Sequence, residues 1–310
     1  MSGRLRDALY DFGLEDSFRR ANFRLQLHYG FSLSAERIRK VTLKQAQTER
    51  TGQRERKPVS SLPSKGADAV VSQCDGSMVR IVHTAENGDA RKKRDLDWKE
   101  ARICVARASG TDSSYYEGLI GDVHEVGHAW AHATLRAGWA SHTLIHCMGD
   151  GASWIAQQAA LQFPGSSFLL DLYHVCEYLA EASEVCALKE SPQRWQKRQR
   201  TKLLKGKASQ VIAELEEKSE GAEVPDEHSP VRLAYRYLNN RKEQLDYPKA
   251  LENNLPVGTG MIESAHKQII QQRLKGPGMA WLTTNADALI SARAHRATYI
   301  ECQEWLNEAA

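Results

Sequence analysis

Three acidic residues stand at positions where a carboxylate could do chemistry. Asp75 lies within an apolar stretch that predicts β-structure, and Asp150 follows a short apolar strand. Glu263 stands in the first turn of a predicted helix, where the helix dipole favours a charged carboxylate. Carboxylate oxygens suit Mg²⁺, and two such ions about 4 Å apart can activate an attacking oxygen and stabilise a leaving one. Three carboxylates on strand, strand and helix therefore predict a two-Mg²⁺ site.

Two of these acids also have a structural interpretation. Asp75-Gly76 stands between apolar runs at residues 68–83, and Asp-Gly in that setting is typical of a hairpin turn. Glu263 precedes Lys267 by one helical turn, so the two could form a solvated pair on an amphipathic helix. The residues alone leave both interpretations open.

The elements that must position the acids follow from turn residues and apolar periodicity. The helix with Glu263 should begin after Thr259, whose side chain would cap it, and end near Leu274. A βαβ unit, which presents its site at the carboxyl ends of its strands, is predicted over residues 142–187. The remaining expectations are a strand at 101–106, a loop at 86–100, a helix at 115–137 and a closing helix at 285–306.

Asp171 and His174 follow the second strand of the predicted βαβ unit. A histidine at the end of such a strand could act on a substrate bound in the crevice there. The alternative is that His174 only caps the following helix. Gly149 and Gly151 would let the backbone bend so that Asp150 projects into the same crevice.

Basic residues are concentrated at the start of the chain. Residues 1–65 contain 14 Lys and Arg against seven Asp and Glu, a net charge of +7 in a chain whose total is +3. A short helix after Ser17, a glycine-containing linker and a basic helix from Ser34 fit a helix-turn-helix, or else a helical hairpin with a solvated face. Residues 49–66 are expected to form a linker. The outward basic residues of the second helix would be Arg37, Lys40 and Lys44.

Other features of the composition exclude some classes of protein. The six cysteines include no CxxC pair, which argues against a zinc ribbon or a redox motif. There is no signal peptide and no apolar run near 18 residues, so a soluble cytoplasmic protein without a membrane segment is expected. Seven Lys and Arg between residues 194 and 207 form either a solvated helix face or a phosphate contact.

Five sequence blocks, taken together and in order, resemble a known family. Over roughly residues 65–300 they are similar to blocks of the Kra-type insertion-sequence transposases, bacterial DDE enzymes distantly similar to the Mutator-like group. The blocks are Cys-Asp-Gly-Ser-Met-Val at 74–79, Gly-Asp-Gly-Ala-Ser-Trp-Ile at 149–155, Leu-Asp-Leu-Tyr-His at 170–174, Pro-Val-Gly-Thr-Gly-Met-Ile-Glu-Ser-Ala-His-Lys-Gln at 256–268 and Arg-Leu-Lys-Gly-Pro-Gly-Met-Ala-Trp at 273–281.

The resemblance implies roles for the residues that match these blocks. Asp75, Asp150 and Glu263 would form a DDE triad that binds Mg²⁺, with Mn²⁺ as a substitute. His174 would lie beside the scissile phosphate and Asp171 would support the site. Phosphates of the transposon ends would be held by Lys267, Arg273 and Lys275, with His266 as a weaker contact.

The resemblance also implies an α/β fold with an RNase H-like catalytic core, interrupted by an all-helical insertion and preceded by a helical, helix-turn-helix-like segment. The expected domains are residues 1–65 for the DNA-binding segment and linker, 66–174 for the first part of the core, 175–255 for the insertion and 256–310 for the closing helices with the catalytic Glu.

The implied function is that of a DDE transposase, which would bind transposon ends and cleave and join DNA strands as a homo-oligomer on DNA. It would work in the bacterial cytoplasm and associate with the nucleoid when bound. The alternatives are a metal-dependent nuclease of the same fold and an inactive, transposon-derived DNA-binding protein.

Overall fold

The computed structural model describes residues 3–83 and 95–303 and forms two compact units. The first unit comprises the chain up to residue 143 and again from residue 261, and the second comprises residues 144–260. Among the described residues, no helix is both long enough and apolar enough to cross a bilayer.

Three helices open the first unit, and local signals set their ends. The Ser17 hydroxyl accepts a hydrogen bond from the Arg20 N–H, and Ser34 does the same for Arg37 at the start of the third helix. Gly30, at φ +73°, ends the second helix in a left-handed conformation. The predicted helix, glycine-containing linker and basic helix are thus confirmed as α2 (Phe18–Tyr29) and α3 (Ala35–Arg54), and a further helix, α1 (Gly3–Glu15), precedes them.

Three antiparallel strands follow, but not with the predicted bounds. They are β1 (Ala69–His83), β2 (Asp95–Ala108) and β3 (Ser114–Leu119), and β2 pairs with both neighbours. Asp75 and Gly76 pair with Ile103 and Arg102 in an unbroken ladder from Val70 onwards, so the hairpin-turn interpretation is wrong. Long pairing with β2 outweighs the local turn preference of Asp-Gly.

The predictions for residues 86–100 and 115–137 need correction. Residues 95–100 belong to β2 and are not a loop, while residues 84–94 lie outside the described part of the chain. The predicted helix at 115–137 is a strand in its first part, because residues 114–119 pair with β2. Only the later part is helical, as α4 (Val123–Arg136), and Asp122 caps it.

The second unit begins with the predicted βαβ unit. β4 (Leu144–Gly149), α5 (Ser153–Gln162) and β5 (Ser167–Leu170) follow one another, and β4 and β5 are parallel. In the first unit β2 lies between β1 and β3, and in the second unit β4 pairs with β5, so the protein belongs to the mixed α/β class. Helices complete the second unit: α6 (Leu172–Cys186), α7 (Pro192–Leu204), α8 (Ala208–Glu217), α9 (Pro230–Asn239) and α10 (Tyr247–Glu252).

The last helices return to the first unit and cover its strands. They are α11 (Gly260–Ala265), a π-helical turn (His266–Gln271), α12 (Gln272–Leu274) and α13 (Thr283–Glu301). Ile81 and Ile103 from the strands pack with Ile262, Ile269 and Ile290 from these helices in one buried core. Packing against strands therefore fixes the helical segment that contains Glu263.

A buried ion pair joins α3 to α13. Arg50 donates to both carboxylate oxygens of Asp287, each at 2.9 Å, and both residues are buried. Arg54 and the backbone N–H of Ile120 also donate to Asp287. This attachment explains why residues 49–54 continue α3, contrary to the linker predicted from residue 49.

Replacing Asp287 with Ala should destabilise the first unit by about 3 kcal/mol, because buried Arg50 would keep only the partly exposed Glu125 as its counter-charge. Urea-induced unfolding followed by circular dichroism would measure the change. The control is Glu36→Gln, which removes the partner of Arg39 on the exposed face of α3 and should leave the midpoint nearly unchanged. Equal midpoints for the two variants would contradict the structural role of Asp287.

Candidate active site

Asp75 lies within β1, with one carboxylate oxygen hydrogen-bonded and the other close to a histidine. Its Oδ1 accepts a hydrogen bond of 2.7 Å from the backbone N–H of Gly76. Its Oδ2 lies 3.1 Å from Nε2 of His266, a buried residue of the π-helical turn. The Asp75 side chain remains 30% exposed, so it is open to solvent as well as packed against protein.

The helix that carries Glu263 begins against the same strand. The Gln73 side-chain oxygen accepts a 3.0 Å hydrogen bond from the Ile262 N–H. Gln73 and Asp75 are two residues apart and therefore share one face of β1. Gln73 thus binds a free N–H of the first helical turn, the task predicted for Thr259. The Thr259 hydroxyl instead donates to Asp171.

Glu263 lies one helical turn before His266, the residue that contacts Asp75. Glu263 precedes His266 by three residues, a separation that makes side chains neighbours on a helix. Its carboxylate is 68% exposed and accepts a 2.6 Å hydrogen bond from Lys267. That hydrogen bond, together with the Lys267 charge, lowers the pKa of Glu263 and keeps it ionised at neutral pH. Two of the three predicted carboxylates therefore occupy adjoining elements of the first unit.

The helix after Glu263 widens into a π-helical turn. Arg293 of α13 reaches this turn and donates to the carbonyls of Gln268 and Ile269. These side-chain hydrogen bonds satisfy backbone oxygens where the helical ladder is irregular. Such turns are frequent at functional sites. Apolar periodicity predicted only an ordinary helix here, because the turn depends on Arg293.

In the second unit, Asp150 follows β4 in a tightly held loop. Its Oδ1 accepts a 2.9 Å hydrogen bond from the Ala152 N–H, and its backbone carbonyl accepts one from the Tyr237 hydroxyl. Gly151 adopts φ +88°, which requires glycine, and its carbonyl accepts from Arg241. The bend predicted from the two glycines is present at Gly151 alone, since Gly149 is the last residue of β4, and Tyr237 and Arg241 hold the loop backbone.

Asp171 is committed to internal hydrogen bonds. One carboxylate oxygen accepts from the Tyr173 N–H at 2.7 Å and caps α6. The other accepts from both the N–H and the hydroxyl of Thr259. A supporting position therefore suits Asp171, since neither oxygen is left without a partner.

His174 lies on α6, one turn from the cap. The interpretation of His174 as a helix cap is wrong, because Asp171 supplies the cap. Its Nδ1 lies 2.9 Å from Glu177, and its ring packs edge-on against Tyr178 and Tyr237. Tyr237 also bonds the Asp150 carbonyl, so one tyrosine joins the histidine to the aspartate loop. No feature of the sequence singled out Tyr237.

The basic residues of the last motif differ in exposure. Lys267 is exposed and paired with Glu263, while Lys275 donates a 2.6 Å hydrogen bond to Ser77. Arg273 is only 2% exposed and donates to the Gly13 carbonyl. Burial lowers the pKa of Arg273 to about 10. Contact between Arg273 and DNA phosphates is therefore not supported, because its guanidinium faces the protein interior.

The predicted basic face of α3 is exposed. Ile38 is buried while Arg37, Lys40 and Lys44 point outward at i, i+3 and i+7. Together with Arg6 of α1, these three line a groove of about 690 Å³. The face has the charge required to bind a phosphate backbone.

The basic run of α7 is divided between internal ion pairs and solvent. Arg198 and Lys202 both bond Glu214 of α8, as does the indole N–H of Trp195. Burial alone would raise the pKa of Glu214, but these hydrogen bonds lower it well below its usual range. The other basic residues of the run are exposed: Arg194, Lys197, Arg200, Lys205 and Lys207.

The predicted metal ligands have the chemistry that Mg²⁺ prefers, but their surroundings in the structure are not those of a metal site. Asp75, Asp150 and Glu263 supply carboxylate oxygens, which this hard cation prefers. Among the described residues, however, no group of three His, Cys, Asp or Glu side chains is assembled to hold a metal ion. His266 and Lys267 occupy positions beside Asp75 and Glu263 instead.

Likenesses to solved structures are weak. The Drosophila P element transposase strand transfer complex shares 9% identity, with a TM-score of 0.31, over 96% of this chain and 79% of that one. NurA shares 13% identity at a TM-score of 0.15 over 89% and 65%, and NurA bound to dAMP and manganese shares 14% at 0.13 over 86% and 63%. TM-scores this low establish no common fold.

No curated protein matches the sequence significantly. A protein-family model does match, over residues 128–307, and this span is more than half of the chain. The matched span includes Asp150, His174 and Glu263 but not Asp75. The chain therefore belongs to UPF0236, described as an uncharacterised protein family.

Proposed function

We propose that this protein is a DDE transposase of a Kra-type bacterial insertion sequence. The observation that carries the proposal is that the helical turn with Glu263 begins against β1 beside Asp75, where Ile262 bonds Gln73 and His266 contacts Asp75. These acids are 188 residues apart in the sequence, and each belongs to one of the five blocks that resemble the Kra-type transposases.

The order of the strands also supports an RNase H-like core. Three antiparallel strands are followed by a parallel strand–helix–strand pair, which is the succession found in RNase H-like folds. Asp75 lies on the first of these strands and Asp150 directly after the fourth. The helices of residues 172–252 then separate Asp150 from Glu263, in agreement with an inserted helical segment.

Asp75, Asp150 and Glu263 would hold Mg²⁺ or Mn²⁺ in this function. A bound ion would supply charge neutralisation at the scissile phosphate. Glu263 is ready for this task because its pKa is lowered and it lies exposed. Lys267 would exchange its bond with Glu263 for a contact with DNA phosphate, and Lys275 would bind DNA nearby.

The reaction would proceed in two steps at one site. Water forms a bond to phosphorus at the transposon end and displaces the 3′-oxygen, which leaves as a free hydroxyl. That hydroxyl then attacks a target phosphodiester and displaces the target's own 3′-oxygen. His174, fixed by Glu177 and the two tyrosines, would lie beside the phosphate and move a proton.

DNA would be bound by a homo-oligomer, because synapsis needs two transposon ends. The exposed face of Arg37, Lys40 and Lys44 would contact the backbone of each end. The protein would act in the bacterial cytoplasm, on the nucleoid.

Strand cleavage and joining on DNA that carries the element's ends should fall at least about 100-fold in Asp75→Asn and Glu263→Gln, the order expected when a charge-stabilising group leaves a catalytic site. Both variants keep the shape of the side chain, so folding should be unaffected. The assay compares products on denaturing gels with Mg²⁺ or Mn²⁺. The control is Glu252→Gln, an exposed acid of α10 that should leave activity unchanged.

Each outcome of this assay selects one interpretation. Joined products that disappear in both variants would support the transposase. Cleavage without joining would favour the nuclease. Binding without either reaction, equal in all variants, would identify an inactive DNA-binding derivative and overturn the proposal.

Alanine substitution of Arg37, Lys40 and Lys44 should weaken binding to duplex DNA and reduce its salt dependence. Removing one phosphate contact lowers the slope of log K against log salt by about 0.9, so the slope of the triple variant should fall by up to about 2.7. Fluorescence anisotropy at several salt concentrations measures the slope. Arg39→Ala is the matched control, because Arg39 on the same helix is paired with Glu36. An unchanged slope in the triple variant would exclude this face as the DNA contact.

A further inference from the structure

Tyr173 is a large aromatic residue that remains 62% exposed next to His174 on α6. It stands between Asp171, which caps α6, and His174, and its backbone N–H donates to the Asp171 carboxylate at 2.7 Å. The backbone of Tyr173 is therefore fixed at the start of α6, although its ring faces solvent.

The Tyr173 ring lies against Gly258. A Cβ atom at Gly258 would lie 2.5 Å from ring atom Cε2 and 2.6 Å from Cδ2, which is closer than real Cβ contacts. Glycine at position 258 therefore allows the ring to rest on the loop backbone. One part of the ring is supported by the loop, and the remainder is presented to solvent.

Arg200 supplies an exposed positive charge next to the same helix. Gln196 of α7 donates a 2.8 Å hydrogen bond to the Cys176 carbonyl, one turn after Tyr173 on α6. Arg200 follows Gln196 by four residues on α7, so it lies on the same helix face, which packs against this turn. Arg198 and Lys202 are paired with Glu214, whereas Arg200 has no ion-pair partner within the described part of the chain.

We propose that Tyr173 and Arg200 bind one unpaired nucleotide of a DNA strand. The base stacks on the exposed part of the Tyr173 ring, and Arg200 binds an adjacent phosphate. This inference rests on the proposed function, because the nucleotide would lie beside His174 and the Asp150 loop. It adds a binding site for single-stranded DNA to a protein otherwise expected to contact duplex.

The surroundings of Tyr173 favour a nucleotide over an apolar partner. A single exposed ring flanked by Asp171, His174 and a basic helix is not an extended apolar patch of the kind that docks proteins. Aromatic stacking combined with a cation for the backbone is the usual mode of binding unpaired bases, and it tolerates any sequence.

The test uses the full-length protein and a short single-stranded oligonucleotide with one 2-aminopurine, whose fluorescence is quenched on stacking. Tyr173→Ala should weaken binding about 5- to 100-fold, the range for removal of one base–aromatic stack, and should abolish the additional quenching. Tyr173→Phe should retain both, because stacking needs the ring and not the hydroxyl. Trp98→Ala, which removes an exposed aromatic ring from β2, should change neither.

Arg200→Ala should leave quenching intact but reduce the salt slope by about 0.7, the value for one phosphate contact on a single strand. Arg194→Ala, on another face of α7, is the matched control and should keep the slope. Gly258→Ala should reduce quenching while the ring is still present, because the added Cβ would displace it. Circular dichroism would verify that each variant is folded.

The outcomes separate this proposal from the proposed function. Normal binding and quenching in Tyr173→Ala would overturn the proposal, even if strand transfer by the wild-type protein were established. Loss of quenching in Tyr173→Ala, with no cleavage by the wild-type protein, would retain the nucleotide site and remove the transposase.

Discussion

Two buried arginines hold the helical segment that contains Glu263 within the first unit. Arg293 of α13 donates to the carbonyls of Leu14, Gln268 and Ile269, and Arg273 donates to that of Gly13. They satisfy backbone oxygens at the end of α1 and in the π-helical turn, where the regular helical ladder leaves acceptors unpaired. Burying two guanidinium groups is costly unless their donors are used. This anchoring acts together with the packing of Ile262 and Ile269 against the strands to keep the turn beside β1, where His266 contacts Asp75.

The exposed charges in this region differ from the buried ones in what they contribute. The Glu263–Lys267 pair is solvated on both sides, and pairs of this kind add little to folding stability. The Arg50–Asp287 pair is buried and joins two long helices. The charged residues that stabilise the fold are thus different from those proposed to take part in the chemistry. A carboxylate that contributes little to folding can change its partner at low cost, as binding of a metal ion or a phosphate would require.

Sequence patterns predicted the parts of the fold that depend on local signals. The βαβ unit and the starts of α2 and α3 follow from strand periodicity, serine caps and glycine turns. The hairpin turn predicted at Asp75-Gly76 was wrong because the preference of a dipeptide for turns is local, whereas pairing with β2 extends over the whole of β1. The expected contact of Arg273 with DNA failed for a related reason: the Arg273 guanidinium is buried against a carbonyl 260 residues earlier in the chain. The contact between His266 and Asp75 is likewise long-range, although both residues lie within recognisable blocks.

The Asp150 loop has a further consequence for how the protein is made. Its backbone is held by Tyr237 and Arg241, which follow it by 87 and 90 residues. At synthesis rates of about 5–20 residues per second, roughly 5–20 s separate the loop from its supports on the ribosome. During that interval β4 and β5 can pair, but the loop lacks the hydrogen bonds that set its shape. Asp150 therefore reaches its final position late, after the helices that follow it have been synthesised and have docked.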